Sequence, residues 1–175
     1  MPREYGTQSD LLESIRDRLI DQLGELDDTS CFVSDHPYPA TVPHADVLCT
    51  VCPGSGTFDQ GMFAGSGFHQ VNEDATVIVA TFVRQIADRS DEAAVLFNDE
   101  SRGLFRVFKP AILKALLVDD SSGTRVSWEP VKNGFGILRD QLSPLSADFE
   151  RLATTDGVPW VGLVLRFSAN WDWEL

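Results

Sequence analysis

The chain predicts an α+β fold: a mostly antiparallel β-sheet with an N-terminal helix and a central helical pair packed on one face. Three observations predict it. Residues 9–26, SDLLESIRDRLIDQLGEL, carry apolar side chains at helical spacing. Residues 75–86, ATVIVATFVRQI, are apolar on both parities, as a central strand is. In the C-terminal VPWVGLVLRFSANWDWEL, Val161, Leu163, Leu165, Phe167, Ala169, Trp171, Trp173 and Leu175 share one parity and Gly162, Arg166, Ser168, Asn170, Asp172 and Glu174 the other, the period of a long strand with one buried and one wet face. With 175 residues the chain is expected to fold as a single domain, 1–175. That size suffices to bury roughly 70% of the unfolded surface without staples.

Taken in order, Ser9 or Asp10 can cap the first helix, whose stripe is Leu11, Leu12, Ile15, Leu19, Leu23 and Leu26, and Gly24 weakens its last turn. Residues 27–45 read as loop, with Pro37, Pro39 and Pro43, interrupted by a short strand CFV at 31–33. DVLCTVC, 46–52, reads as a strand. A long Gly-rich loop at 53–67 is expected next, then a strand at 68–73 turning at Glu73-Asp74 into the strand at 75–86. Residues 91–118 read as helical: Leu104, Val107, Phe108, Ala111, Ile112, Ala115 and Leu116 fall on one stripe. Pro110 and Gly103 divide that stretch into two helices. A turn at 119–123, a short strand at 124–131 and an irregular segment at 132–157 complete the reading.

Composition narrows the function. Fourteen Lys and Arg stand against 27 Asp and Glu, a net charge of −13. Such a surface repels phosphate backbones and anionic lipid, which disfavours general nucleic-acid or membrane binding. No run approaches the roughly 20 apolar residues of a membrane span. MPREYGTQSD lacks a basic-then-apolar leader pattern, so cytosolic synthesis is the expectation. Three cysteines, an odd number, argue against a disulfide framework.

The motifs of small-molecule chemistry are incomplete. Gly56 and Gly61 have P-loop spacing, but Met62-Phe63 stands where Lys-Ser would grip phosphate and magnesium. A dinucleotide fingerprint starting at Gly54 and Gly56 meets Asp59 where its third glycine belongs. Cys49-x-x-Cys52, with His36, His44 and His69, supplies half a zinc site, and residues three apart on a strand face opposite ways. No G-x-S-x-G occurs in the two GSG runs at 54–56 and 65–67. Arg102, Arg106 and Lys109 share a helix face, with a solvated face as the expectation and a partner contact as the alternative.

CPGSGTFDQGMFAGSGF, 52–68, is the segment without an ordinary explanation. Phe58, Met62, Phe63 and Phe68 cannot all stay wet without inviting association. They either fold back over the sheet or reach a neighbouring subunit. Trp171 and Trp173 at the end of the last strand present the same choice between core-edge packing and an interface anchor.

The succession DLLESIRDRLIDQL, DVLCTVCPGSGTFDQG, ATVIVATFVRQIADRSDEAAVLF, AILKALL and LVLRFSANWDWEL resembles the layout of the tail terminator, or tail completion, proteins of long-tailed bacteriophages and related prophages. The resemblance spans most of the chain and lies in the order of elements. It implies a non-enzymatic virion assembly protein with no cofactor and no metal. Such proteins form a ring, typically a hexamer, at the head-proximal end of the tail tube. Its partners would be further copies of itself, the tail-tube protein and a neck or head-completion protein. DNA would pass through the ring without specific binding. The protein would be made in the host bacterial cytoplasm and end in the virion. On that reading Pro53–Gly67 is an assembly arm, and Phe58, Met62, Phe63, Phe68, Trp171 and Trp173 belong to the interface. The alternatives are another neck, connector or tail-tube protein, or a small metal- or thiol-dependent enzyme using Cys49, Cys52 and His69.

Overall fold

The structure, a computed structural model, describes residues 8–38, 46–59, 70–84, 103–120, 122–126, 128, 136–138, 142–153 and 159–174. It opens with helix α1 (Gln8–Gln22). Leu11, Leu12, Ile15 and Leu19 are buried along one face, and Leu23 and Leu26 continue the stripe into the following turn. The Asp27 carboxylate then fixes the link to the sheet. It accepts the Thr29 and Ser30 amides at 2.9 Å each and both their hydroxyls, which holds it below the usual carboxylate range.

Among the described residues six strands form one sheet. β1 (Cys31–Val33) lies parallel to β2 (Val47–Asp59), and β2 is antiparallel to β3 (Gln70–Arg84). β3 pairs with β6 (Pro159–Glu174) in one uninterrupted antiparallel register, from Gln70↔Glu174 to Arg84↔Trp160. Along the far side of β6 run β4 (Gly136–Leu138) and then β5 (Ser143–Ala153), both antiparallel to it. The class is the expected α+β, with a mostly antiparallel sheet.

Several boundaries differ from the sequence reading. The strand read as 46–52 continues to Asp59, so Pro53–Asp59 is sheet where a Gly-rich loop was expected. Glu73-Asp74 is no turn: both residues lie inside β3, flanked by Phe58 and Thr57 on one side and by Trp171 and Asn170 on the other. Two neighbouring strands override the local turn preference there. The supposedly irregular 132–157 contains β4 and β5, and 124–131 contributes a single bridge, Val118↔Arg125, among its described residues.

The central helical stretch is described from Gly103 onward. Leu104–Phe108 form a wide π-type turn that leads directly into α2 (Lys109–Leu117). Pro110 therefore begins a helix instead of breaking one; at the first helical positions its missing N–H costs nothing. Leu104, Phe108, Ile112, Ala115 and Leu116 are buried, as the stripe predicts. Arg18 of α1 ties the two helices together, its Nε donating to Ala115 O at 2.5 Å and an Nη to Val118 O at 3.2 Å. A cation there also suits the negative end of α2.

The helices and the inner face of the sheet enclose the principal core, with Cys49, Val51, Val77, Val79, Leu163, Leu165 and Phe167 supplied by the strands. On the opposite face β6 was expected to be wet, whereas β3 was read as apolar on both sides. The near half of that face holds a second cluster of Leu48, Ala80, Phe82, Trp160 and Val164. Residues 34–38 lie across this cluster as a strap. Ser34 N–H donates to Val51 O at 3.0 Å, Thr50 Oγ1 donates to Pro37 O at 2.7 Å, and the Tyr38 ring packs 5.9 Å from that of Phe82. Arg166, Ser168 and Asn170 of β6 are half-exposed, as the alternation predicts.

Candidate functional site

At one end of the sheet β2 runs on beyond its contact with β1, paired with β3, while β3 stays paired with β6. The glycines there have a packing reason. A Cβ at Gly54 would meet Thr76 Cβ at 2.8 Å, and one at Gly56 would collide with the Glu73 carboxylate. The absent side chains let β2 lie close against its neighbour's side chains. The register steps by one between Pro53 and Gly56, a bulge that twists and bends this part of the strand. Phe58 follows, 62% exposed, the most exposed large apolar residue described. The register also gathers Asp59, Glu73, Asp74, Asp172 and Glu174 at this end. No Lys or Arg lies in residues 54–59, 70–76 or 168–174, so every charged residue of these strand segments is acidic.

The other apolar candidates divide. Met62, Phe63 and Phe68 lie outside the described residues. Trp171 is only 1% exposed and belongs to the principal core, so its bulk stabilises its own chain and offers no free anchor to a partner. Trp173 pairs through its backbone with Val71 and Gly136 at the same acidic end.

The cysteines are buried thiols. Cys31 and Cys49 are cross-strand neighbours on the inner face, and Thr81 donates to Cys49 Sγ at 3.6 Å. The adjoining Cys49 thiol and burial hold Cys31 far above the ordinary thiol range. Burial pushes Cys52 up to about 11. Cys49 faces the principal core, whereas Cys52 is in register with Ile78, a side chain of the opposite face. Because β2 continues past Cys52, the strand geometry separates the two sulfurs, and they cannot chelate one ion. His44 and His69 lie outside the described residues. His36 is exposed in the strap, where its Nδ1 accepts the Tyr38 amide at 3.0 Å. Among the described residues no three His, Cys, Asp or Glu side chains are grouped to hold a metal.

One polar group escaped the sequence reading. Tyr38 Oη donates to Glu150, 112 residues away, and Arg166 pairs with Asp148 beside it. The Glu150 bond, with burial, raises the Tyr38 hydroxyl pKa. Nothing in the local sequence marks these contacts; they exist because β5 pairs with β6 and the strap brings the Tyr38 side chain to Glu150. Of the cationic helix face, Lys109 sits 5.8 Å from the Phe105 ring, Arg106 is exposed, and Arg102 is outside the described residues.

In comparisons with known proteins, no family model matches the chain and no curated protein matches it significantly. No helix among the described residues is long and apolar enough to cross a membrane.

Proposed function

We propose that this chain is a non-enzymatic assembly protein of a long-tailed phage or prophage: a tail terminator that closes as a ring on the tail tube and joins it to the neck. The observation that carries the reading is the far end of the sheet, where the register places five acidic residues and no basic one around exposed Phe58. A ring needs apolar surface that stays exposed until a neighbour covers it. A channel for DNA needs a lining that repels phosphate, so that the duplex slides instead of sticking. The acidic end is suited to the second task and Phe58 to the first. The buried, separated Cys49 and Cys52 lend no support to a thiol or metal enzyme.

Incubation with tail tubes from a phage that encodes this chain tests the reading. A terminator halts tube growth and appears by negative stain as a cap on one end. Indefinite tubes formed by this chain alone would identify a tube subunit instead. Tubes that lengthen undisturbed in its presence would rule the terminator reading out.

A further inference from the structure

The sheet has two open edges among the described residues. β1 covers β2 only at Cys49–Val51, which leaves the outer side of Pro53–Asp59 without a strand. β5 pairs with β6 on one side and with no described strand on the other. Open edges are templates for pairing with another chain. Four large apolar side chains are exposed among the described residues, and three lie on these two edges: Phe58 on β2, with Leu145 at 59% and Phe149 at 36% on β5. Leu145 is the extra residue of a bulge between Pro144 and Ser146, which turns it out of the ladder. The Phe149 and Phe105 rings lie 6.1 Å apart, tilted by 34°, so the β5 edge continues into an apolar shelf at the helical layer.

The geometry points to a second copy of this chain as the occupant of both edges: β5 of one subunit pairs with Ser55–Asp59 of the next. Strand direction favours this pairing. β2, β3, β6 and β5 alternate in direction, so a like-oriented copy added beyond β5 presents β2 antiparallel to it. Pro53 has no N–H to donate, so it ends the pairable stretch. β1 occupies the rest of the β2 edge, so the next copy must sit staggered along the strands. Stagger of this kind is what a closed ring of tilted strands requires. The contact is heterologous, one edge meeting a different edge, and such a contact gives a ring where the rotation between copies closes and an open filament where it does not. The inference rests on the ring reading for its biological setting and on the edges alone for its chemistry.

Phe58→Lys and Leu145→Lys test it, because each places a charge on one edge at a side chain already exposed. Unchanged circular dichroism and melting establish that both variants fold. Native mass measurement should show the wild type in multimers, each variant alone as a monomer, and the equimolar mixture as a 1:1 dimer through the one intact pair of edges. Multimers formed by either variant alone, an unassociated mixture, or a wild type that stays monomeric even on tail tubes would each overturn the pairing. Variants that still form rings and cap tubes would sink the edge contact and leave the terminator reading standing. Wild-type rings with the predicted variant behaviour but no capping of tubes would do the reverse.

Discussion

Gly162 sits in register with Phe82, and the aromatic ring occupies the space that a Cβ at Gly162 would fill. Gly162→Ala should therefore cost about 1–3 kcal/mol, the usual penalty for overpacking, in a urea unfolding experiment. Phe82→Leu in the same chain should recover part of it. Equal stability of Gly162→Ala and wild type would mean that the ring moves aside freely. Cys52 gives a pH-dependent counterpart. Its thiol is raised from 9.0 to about 11 by burial, so the folded chain keeps a proton that the unfolded chain has already released in that interval. Stability present below pH 9 must then decline as pH rises from 9 to 11. Cys52→Ala should flatten that part of the pH–stability curve, and an unchanged slope would assign the decline to other groups.

At the scale of elements, Arg18 joins α1 to the end of α2 through two carbonyls. Arg18→Met keeps the aliphatic stem and removes the donors; a loss of about 1–3 kcal/mol in thermal or denaturant unfolding is expected. No loss would show that water replaces the guanidinium without penalty. The hairpin of β2 and β3 makes a second prediction. Leu48–Cys52 sits within the paired, buried sheet, whereas among the described residues Ser55–Asp59 has a strand on one side only, so its amides should exchange with deuterium markedly faster in the isolated subunit. Equal protection in the monomer would mean that the outer edge is already covered.

The same elements show what the sequence made legible. α1, the 75–84 part of β3, the stripe of α2 and β6 could be read because each buries side chains at the period of its own geometry. The glycines of β2 could not be read as strand, because Gly54 and Gly56 answer to Thr76 and Glu73, side chains some twenty residues away. SPLSADFERLA of β5 lacks clean alternation, since its bulge at Leu145 shifts the parity near the start and, beyond it, Phe149 and Leu152 serve opposite faces. At the candidate site, the sequence pointed to Phe58 and the acidity but missed Tyr38–Glu150 altogether, a contact that only the strap's crossing creates. It also weighed Trp171 as an interface anchor, because strand alternation marks a buried face without saying whether that face is covered by the same chain or by another.

The whole molecule carries −13, and acidic residues occupy the register positions around exposed Phe58. Subunits of like charge repel at low ionic strength, so assembly through apolar edges should strengthen as added salt screens that repulsion. The ring is tested most directly by native mass spectrometry of the wild-type chain across a concentration series at moderate salt, with negative-stain images of the largest species. Closed rings of one fixed subunit number, six above all, are the expected result. A monomer at every concentration that also leaves tail-tube ends bare would contradict a ring-forming terminator.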